Sequence, residues 1–573
     1  MAVPPAGDPL RPWLARYPSR VPPHLDYPPK LLTELVDDTV RRWGSRTALV
    51  HHGARWTYSR FWAESERFAV ALEREGVRPG DRVAIYMPNC PGFAIAFFGV
   101  LRLGAIAVQV SPLYVGEDLV RVLNDAEPKA LVTLEILHPN VKKVEGEAPV
   151  PVEFVARLRE FYSPLQRPFV NLVLRRRGLP TRFPTGPKVR SWRRAVRTAG
   201  TVPIRSGDPA TTVAVFQYTG GTTGTPKAAM LTHRNLVANV LQTNTWNTTR
   251  IPGKEVILAS IPFFHIYGLT VGLLMGLADG ATIVMQTRPE VDELLGLIDR
   301  YRPSQFPGVP ALYQALVQRP DLARHDIRSI RFCLSGSAPL PPEVQRKLEA
   351  ATGGRILEGY GLTEASPVTH ANPTEGERRA GSIGLPLPDT DQKILDPTDP
   401  DRALPAGEVG ELAVHGPQVM LGYYRQPEET AGVLRDGWLS TGDLARIDSD
   451  GYAYIVDRKK DMVNVGGLKV YPREVEDVLF EHPAVADAAV VGVPDLALGE
   501  VPKAFVVLKA GTSVGEAELV AFVRSRIAHY KVPRTIEFRE SLPRSGIQKV
   551  LRRALRAGEA SPAVAPSPPD RHP

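Results

Sequence analysis

Apolar and polar positions alternate along the first part of the chain as they do in helices and strands that follow one another. Residues 38–43 and 91–103 show helical spacing, and residues 82–86 and 105–110 are short apolar runs typical of buried strands. This alternation favours a mostly parallel sheet with helices on both faces. Further strands are predicted at 212–216, 256–261, 282–286, 304–308, 330–335 and 355–357.

Two later changes of pattern divide the chain. Beyond Gly381, short strands alternate with turns, which predicts a small β subdomain at about 381–457. The polar, glycine-bearing stretch 458–467 then precedes a helix at 472–480, strands at 487–493 and 504–508, and a helix at 515–528. That order is typical of a separate C-terminal α+β domain of about 100 residues.

We therefore predict an α/β protein with a large N-terminal domain at 1–457, built of layered helix and sheet subdomains. Residues 138–200 are rich in proline and arginine and are interpreted as a basic insertion in that domain. The small C-terminal domain is expected at 458–556. The Pro/Ala/Ser-rich tail at 557–573 is expected to be disordered.

Composition narrows the class of protein. The chain has 573 residues, of which 43% are hydrophobic and 23% charged, which is globular composition. Its two cysteines exclude a disulfide framework and a cysteine-based metal site. Neither of the two best apolar runs reaches the ~20 residues of a membrane span, and no signal region begins the chain. We therefore expect an intracellular protein.

The strongest chemical signal is the loop Tyr218-Thr-Gly-Gly-Thr-Thr-Gly-Thr-Pro-Lys227, which lies between an apolar strand and a helix starting near His233. Glycines let the backbone turn tightly, and successive N–H groups form a nest for anions. Threonine hydroxyls and Lys227 add donors and charge, so the loop suits a polyphosphate. It is not a Walker A loop, because Pro226 precedes the lysine.

This loop resembles the signature of the adenylate-forming superfamily, which contains acyl-CoA synthetases, luciferases and peptide-synthetase adenylation domains. Such enzymes activate a carboxylate with ATP as an acyl-adenylate and then pass the acyl group to a thiol. The resemblance implies ATP, Mg²⁺ and CoA as ligands. It also implies that the ATP phosphates are held by Thr219, Gly220, Gly221, Thr222, Thr223, Gly224 and Lys227.

Further motifs of the superfamily follow in order. Gly336-Ser337-Ala338 resembles the turn that lies against adenine, and Gly359-Tyr-Gly-Leu-Thr-Glu364 matches the aromatic-plus-acid motif. By this resemblance Tyr360 stacks on adenine with Gly361 beside it, and Thr363 contacts the α-phosphate. Glu364 and Thr219 are implied as the Mg²⁺ residues, which suits an ion that takes few protein carboxylates and shares its shell with phosphates.

The motifs of the C-terminal part are matched in the same way. Asp443, in Ser-Thr-Gly-Asp, is implied to bind the ribose hydroxyls, and Arg458 to reach the ribose and phosphate region. Lys460 falls at the family's hinge position, so the C-terminal domain is expected to be mobile and to rotate between two half-reactions. Gly466 and Gly467 fit the glycine turn beside which pantetheine approaches.

Two further residues are implied to be catalytic. Lys549, in the stretch 542–553, matches the lysine that neutralises charge while the α-phosphorus is attacked, and Gln548 stands where the family usually has glycine. His265, in Pro-Phe-Phe-His-Ile-Tyr-Gly, matches the histidine beside the substrate carboxylate.

The subgroup that the chain most resembles is the bacterial long-chain-fatty-acid–CoA ligases. The resemblance rests on Trp-Leu-Ala-Arg-Tyr-Pro at 13–18 and on the stretches 217–236, 357–368 and 530–538. Gly268, Gly272 and Gly276 are spaced by four and would share a helix face. That face would line either an acyl tunnel or a close helix contact, and Gly308 is added to the acyl-pocket candidates.

Positive charge is concentrated in one stretch. Residues 157–197 hold twelve Lys and Arg and one acid, Glu160, whereas the whole chain has a net charge of only +8. Apolar residues lie among these cations, a composition typical of segments that bind anionic membrane surfaces. A solvated surface loop is the alternative. Nucleic acid is not expected, because no helix-turn-helix or aromatic-stacking motif accompanies the charge.

The sequence thus predicts a long-chain fatty acid–CoA ligase, an acid–thiol ligase that forms acyl-AMP and then acyl-CoA. Alternatives are a ligase for a medium-chain or aryl acid such as coumarate, a fatty acyl-AMP ligase, and more remotely a luciferase-like oxygenase or a non-catalytic fatty-acid- or membrane-binding protein. A cytoplasmic location is expected, either fully soluble or peripheral at the inner face of the membrane.

Overall fold

The computed structural model describes residues 11–219, 226–544 and 550–557. It confirms the predicted α/β fold, and several elements have the predicted bounds, among them the strand Arg82–Tyr86 and the helix Pro472–Phe480. By chain contacts the protein divides into two units. One comprises 1–392, 413–441 and 448–453, and the other comprises 393–412, 442–447 and 454–573.

The strands of the described residues, in chain order, are β1 Thr47–His51, β2 Ala54–Thr57, β3 Arg82–Tyr86, β4 Ile106–Gln109, β5 Ala130–Leu134, β6 Val152–Ala156, β7 Val189–Ser191, β8 Val213–Thr219, β9 Lys227–Thr232, β10 Val256–Ala259, β11 Thr282–Met285, β12 Phe332–Ser335, β13 Arg355–Gly361, β14 Val368–Ala371, β15 Leu385–Pro386, β16 Asp391–Leu395, β17 Ala403–Leu404, β18 Gly410–His415, β19 Gly422–Tyr423, β20 Leu434–Arg435, β21 Trp438–Ile447, β22 Ala453–Arg458, β23 Val463–Val465, β24 Leu468–Val470, β25 Val485–Asp495, β26 Gly499–Leu508 and β27 Thr535–Phe538.

The α-helices are α1 Leu32–Trp43, α2 Tyr58–Arg74, α3 Pro91–Arg102, α4 Glu117–Ala126, α5 His138–Val144, α6 Arg167–Arg176, α7 Trp192–Ala195, α8 His233–Trp246, α9 Met275–Ala278, α10 Val291–Tyr301, α11 Pro310–Val317, α12 Pro342–Thr352, α13 Pro427–Val433, α14 Pro472–Phe480, α15 Glu516–Arg524 and α16 Arg552–Ala557. A π-helical segment, Gly268–Leu274, runs directly into α9.

The largest sheet of the first unit has the strand order β19-β9-β8-β4-β3-β5-β6-β7. Its strands from β8 to β7 run parallel. Strand β9 pairs antiparallel with β8, and β19 pairs antiparallel with β9. The central strands are buried on both faces and are accordingly apolar throughout rather than alternating. Helix α3, apolar on all sides, is buried over nearly its whole length, as expected of a helix between packed layers.

The interpretation of 138–200 as an insertion needs correction. Strand β6 pairs with β5 and β7 pairs with β6, so both ends of this segment extend the main sheet. Only the stretch between β6 and β7, which contains α6, leaves the sheet. The sequence misled because the stretch is rich in proline and arginine and because the edge strand β7 has only three residues.

The first unit also contains two four-stranded sheets, with the strand orders β10-β11-β1-β2 and β12-β13-β14-β15. The strand predicted at 304–308 is present only as single bridges, in which Gln305 pairs with Ile257 and Phe332, and Gly308 with Ser335. Pro307 lies between these bridges and has no N–H with which to continue the ladder. The segment still connects β10 to β12 through hydrogen bonds on both sides.

Further along the chain, the strands around 391–458 form a sheet of order β17-β16-β18-β21-β20, with β22 beside β21. The C-terminal part of the second unit has the order β24-β23-β26-β25, with β27 beside β26. Helices α14 and α15 cover one face of that sheet around Val490 and Val506. The other face holds a smaller cluster of Val491 and Phe505 with Leu555 of α16. Alternate residues of β25 thus serve opposite faces.

Two features are absent from the residues that the structure describes. No helix in this part of the chain has the length and apolar character needed to cross a bilayer. No group of three or more His, Cys, Asp or Glu side chains is arranged to hold a metal ion.

Candidate functional site

The predicted phosphate loop is framed by a hairpin. Strands β8 and β9 are antiparallel, and their last register pair joins Thr219 to Lys227. Gly220, Gly221, Thr222, Thr223 and Gly224 lie outside the described residues. The helix after β9 begins at His233 as predicted, capped by Thr232, whose hydroxyl accepts the N–H of Asn235. The two ends of the loop are therefore fixed by a buried strand pair.

Lys227 is held at the end of this hairpin by two side chains. Its Nζ lies 2.5 Å from a carboxylate oxygen of Glu429 and 5.4 Å from the ring centroid of Tyr423. The lysine side chain is only 12% exposed, whereas that of Glu429 is 46% exposed. The cation is thus kept in place, while its acidic partner sits where solvent or a ligand reaches it.

Tyr423 joins this lysine to the acid of the aromatic-plus-acid motif. Its hydroxyl donates to Oε1 of Glu364 over 2.7 Å, and the backbone carbonyl of Glu364 accepts the N–H of Met420 over 2.7 Å. Strand β19 places Tyr423 opposite Ala229 of β9. Burial, together with the charge of Glu364, raises the pKa of Tyr423 well above its usual range, so the phenol stays a donor.

Sequence reasoning missed Tyr423 and Glu429. Both lie about 200 residues from the loop along the chain, and neither belongs to a motif that carries recognisable chemistry. The only local signal is a glycine followed by two tyrosines at 422–424, which also fits an ordinary edge strand.

The two motifs predicted to lie beside adenine share one edge of a sheet. Strands β12 and β13 are parallel, with Ser335 opposite Glu358, so Gly336 and Tyr360 both follow at their carboxyl ends. In open α/β sheets ligands bind at that edge. Tyr360 is half-buried with its ring 6.0 Å from that of His370, and Gly361 is exposed. Gly336 packs against the ring of Tyr267, whose nearest atom would be 3.2 Å from an added Cβ.

The remaining residues of these two motifs are placed by tight turns. Ser337 has a positive φ of 73°, and Ala338 is exposed beside it. Thr363 and Glu364 lie in a 3-10 turn, Thr363–Ala365, where both side chains are half-buried.

His265 lies beside the strand that leads into the phosphate loop. The amide of Gln217 on β8 donates to the carbonyl of Phe264 over 2.8 Å, which ties the histidine motif to β8. Nδ1 of His265 accepts the N–H of Tyr267 over 3.3 Å. This contact leaves Nδ1 without a proton, so a neutral ring carries its proton on Nε2.

The acyl-pocket glycines are less open than the spacing of four indicated. Residues 268–274 are π-helical, so the glycines do not form one continuous α-helical face. A Cβ at Gly268 would overlap the carbonyl of Pro262, one at Gly276 would overlap Ile283, and one at Gly308 would lie 2.6 Å from the Tyr313 ring. These three positions serve close packing. Only at Gly272 would an added Cβ have ordinary van der Waals spacing, with its nearest neighbour, Phe263, 3.5 Å away.

In the second unit, Asp443 and Arg458 lie on neighbouring strands. Nε of Arg458 is 3.6 Å from Oδ1 of Asp443. Glu411 fixes the backbone around this pair, because its carboxylate accepts the N–H of Gly442 and the ammonium of Lys459, 2.8 Å away. A carboxylate beside a guanidinium is suited to hydroxyl and phosphate groups respectively.

The turn at Gly466 and Gly467 connects β23 to β24. Both residues have positive φ, 56° and 91°, which two-residue hairpins of this kind require and which glycine adopts without strain. The N–H of Gly467 donates to the side chain of Asn464. An added Cβ on Gly467 would meet nothing within 4 Å, so its outer side is open. Lys460 lies on an exposed turn before β23.

Lys549 and Gln548 lie outside the described residues, but both flanks of that segment are fixed. Arg544 and Val550 form an antiparallel bridge, and the N–H of Leu551 donates to the carbonyl of Pro543 over 2.8 Å. Arg544 also pairs with Asp487 of β25. The segment that carries the predicted catalytic lysine therefore starts and ends at neighbouring points on the sheet.

Arg552 anchors the helix that follows this segment, and sequence analysis gave it no role. Its guanidinium contacts both oxygens of Glu476, at 2.7 and 2.8 Å, and lies 3.2 Å from Asp461. Glu476 is almost fully buried, and burial raises the pKa of its carboxyl. One guanidinium nitrogen, Nη2, donates to both oxygens of the buried Glu476, and loss of one partner would leave an uncompensated charge.

The residues present fit a magnesium ion that is shared with a nucleotide. Mg²⁺ keeps several waters and takes one or two carboxylates together with substrate phosphates, so a cage of three protein ligands is not needed. Glu364 supplies one half-buried carboxylate. This carboxylate accepts a hydrogen bond from Tyr423, which is a neutral donor.

Two family models match the chain. Residues 36–424 match the model described as AMP-binding enzyme, and residues 474–549 match the AMP-binding enzyme C-terminal domain. Together they cover most of both structural units.

Curated relatives align over nearly the whole chain. A protein of Bacillus subtilis named long-chain-fatty-acid–CoA ligase is 42% identical over 547 residues, which is 95% of this chain and 97% of the relative. One of the same name from Escherichia coli O6:H1 is 38% identical over 552 residues, again 95% and 97%.

Solved structures of the same architecture include ATP-bound MatB from Rhodopseudomonas palustris, with a TM-score of 0.79, 30% identity, and coverage of 92% of this chain and 98% of that one. The anthranilate CoA ligase AuaEII in complex with anthranoyl-AMP has a TM-score of 0.80 and 26% identity, covering 93% and 98%.

The glycines of the π-helical segment give a stability prediction. Gly268→Ala is expected to lower the free energy of unfolding by about 2–3 kcal/mol, because its Cβ has no room against the Pro262 carbonyl. The matched variant Gly272→Ala is expected to change it by less than about 1 kcal/mol. Urea unfolding followed by circular dichroism measures both. Equal destabilisation by the two substitutions would contradict the packing described here.

Proposed function

The chain belongs to the family of AMP-binding enzymes, and from this premise we propose that it is a long-chain-fatty-acid–CoA ligase. The observation that carries the substrate class is the near-full-length similarity to curated ligases of that name. The reaction joins a fatty acid, ATP and CoA, and yields acyl-CoA, AMP and pyrophosphate.

In the first half-reaction the hairpin loop from Thr219 to Lys227 is proposed to bind the ATP phosphates. A phosphate oxygen replaces Glu429 as the partner of Lys227, which needs little rearrangement because that glutamate is exposed. The fatty-acid carboxylate then attacks the α-phosphorus, and pyrophosphate leaves. Mg²⁺, when bound, neutralises phosphate charge beside Glu364. No side-chain nucleophile is required, so catalysis is by positioning and electrostatics.

The other predicted site residues have proposed roles in the same step. Gly336, Ser337, Ala338, Tyr360 and Gly361 bind adenine, Asp443 and Arg458 bind the ribose, Thr363 contacts the α-phosphate, and His265 contacts the carboxylate of the acid. Lys549 neutralises the charge that develops at the α-phosphate.

In the second half-reaction the CoA thiolate attacks the acyl carbon and AMP leaves. The open outer side of Gly467 is proposed to admit pantetheine, since any side chain there would strain the turn and fill the space. Lys460 is retained as the proposed hinge at which the C-terminal domain rotates between the two half-reactions.

A ligase for an aryl acid is the second candidate. It is favoured by the structural similarity to a ligase whose title names anthranilate, an aryl acid that lacks a long chain. The two candidates share the adenylate chemistry and differ only in what the acyl pocket admits.

The substrate assay separates these candidates. We expect CoA-dependent AMP release to be greatest for acids of twelve or more carbons, and much lower for acetate and coumarate. A maximum at coumarate would replace the fatty-acid assignment by an aryl acid. No AMP with any acid would contradict the enzyme assignment.

In the same assay, Lys549→Ala is expected to reduce AMP release by at least about a hundredfold, because the charge-neutralising cation is lost.

Tyr423 is expected to position Glu364 rather than to react. Tyr423→Phe removes the 2.7 Å hydrogen bond to a carboxylate, worth about 1.5–3 kcal/mol, so kcat should fall about tenfold or more and the Mg²⁺ concentration for half-maximal rate should rise. The control is Tyr424→Phe, whose hydroxyl is not bonded to Glu364. An unchanged magnesium dependence in Tyr423→Phe would show that the contact does not position the metal carboxylate.

We propose that the protein is cytoplasmic and docks on anionic membrane surfaces through α6. Four apolar residues at or near this helix are exposed: Leu165 (86%), Phe169 (63%), Leu172 (48%) and Val173 (47%). Arg175, Arg176 and Arg177 follow at its end. A short helix with this composition lies in the interface between headgroups and acyl chains, where long-chain acids are also found.

A pair of substitutions tests the docking face. Phe169→Ser with Leu172→Ser is expected to lower partitioning onto phosphatidylglycerol vesicles about tenfold or more, because two inserting side chains are lost. Leu113→Ser with Ile251→Ser removes equally exposed apolar residues elsewhere and serves as the control. Co-sedimentation measures both. If the two pairs behave alike, α6 is not the docking element.

A further inference from the structure

A cavity of about 860 Å³ opens next to α6 in the first unit. One side is formed by residues of β2 and α2, including Trp56. The other side is formed by the connection between β6 and β7, by the first residues of α6, and by α7. None of the residues to which the nucleotide and acyl roles were assigned lines it.

Arginines dominate the lining of this cavity, which we call the arginine cavity. Six of them come from the basic stretch: Arg157, Arg159, Arg167, Arg193, Arg194 and Arg197. In the described part of the chain none of the six lies within ion-pair distance of a carboxylate. Their neighbours Lys188 and Arg190 do, with Glu145 at 3.0 Å and Glu75 at 2.5 Å. Six arginines without a carboxylate partner therefore gather around one cavity.

The acids at the cavity do not neutralise this charge. Glu64 is already bonded to Arg60 and to the indole of Trp56. Glu160 accepts the N–H of Arg157, and burial raises the pKa of its carboxyl even though three arginines oppose that shift. Cations gathered around one partly buried acid repel one another, and an anion that enters removes that repulsion.

The wall of the cavity has the chemistry of a phosphate site with an apolar side. Guanidinium groups bind phosphate oxygens in pairs, with better geometry than ammonium groups. Phe161 and Trp192, both buried, and Phe183, which lies 5.2 Å below the Arg157 guanidinium, give apolar surface for carbon. Arg167 and Pro168 begin α6 at the rim, and the exposed Phe169 is the next residue.

We propose that the arginine cavity binds the phosphate headgroup of an anionic phospholipid. The headgroup phosphate lies among the six arginines, its glycerol carbons contact the aromatic wall, and its acyl chains remain in the bilayer beside the exposed apolar residues of α6. This inference rests on the membrane docking proposed above. It adds a specific lipid site to what would otherwise be a general attraction between charges.

The test compares two charge-reversal pairs on the full-length protein. Arg193→Glu with Arg194→Glu changes two cavity arginines. Arg324→Glu with Arg328→Glu makes the same change in net charge at exposed positions away from the cavity. We measure co-sedimentation with vesicles of phosphatidylglycerol and phosphatidylcholine, and binding of monomeric dihexanoyl phosphatidylglycerol and of inorganic phosphate by calorimetry. AMP release with a soluble medium-chain acid checks that each variant is folded.

The cavity pair is expected to lose at least about tenfold in vesicle binding and to lose calorimetric binding of the short-chain lipid, while the control pair loses little. Equal losses in both pairs would overturn the cavity site and leave only bulk charge. Inorganic phosphate bound as tightly as the short-chain lipid would overturn the lipid assignment. The Phe169/Leu172 pair should still bind the short-chain lipid, so failure of the docking helix and failure of the cavity give different results.

Discussion

The pairing of β8 with β9 is the constraint on which the first unit's site depends. Their register sets Thr219 opposite Lys227 and so fixes both ends of the predicted phosphate loop. Outward from this pair, β19 brings Tyr423 beside β9, and Tyr423 in turn holds Glu364. On the inner side, Gln217 of β8 holds the backbone next to His265. Because β8 is buried beside the parallel strand β4, residues that are distant in sequence share one rigid frame.

The sequence predicted this frame well and its supporting contacts poorly. Buried parallel strands are continuous apolar runs, so β3 and β8 were found from hydrophobicity alone. The motif residues were found from resemblance. Tyr423 and Arg552 were not, because what each does is set by a partner far away in sequence, Glu364 and Glu476 respectively. A side chain that acts through one long-range contact leaves no periodic signal.

The errors of prediction also have physical causes. Spacing of four among glycines indicated a continuous helix face, but the π-helical segment changes the number of residues per turn. The space beside three of the four candidate glycines is already occupied, by Pro262, Ile283 and the Tyr313 ring. The stretch 138–200 appeared to interrupt the fold because its edge strand β7 is short and has few apolar residues. Pairing with the neighbouring strand β6 supplies what local composition lacks.

Charge is arranged in two different ways in this protein, and the contrast bears on function. Arg552 is half-buried, but Glu476 and Asp461 pair with it, so its charge serves to hold α16. The six arginines of the cavity come from the β6–β7 connection and from the residues just after β7, and they lack such partners, although Glu75 and Glu145 pair with Arg190 and Lys188 close by. A structural role accounts for cations that have partners. It does not account for six that repel one another around a cavity, since exposed alternatives such as serine or threonine would fold the same connection at lower electrostatic cost. Under the lipid assignment proposed above, this set attracts an anion that carries both phosphate and carbon, at the start of the helix that exposes apolar residues.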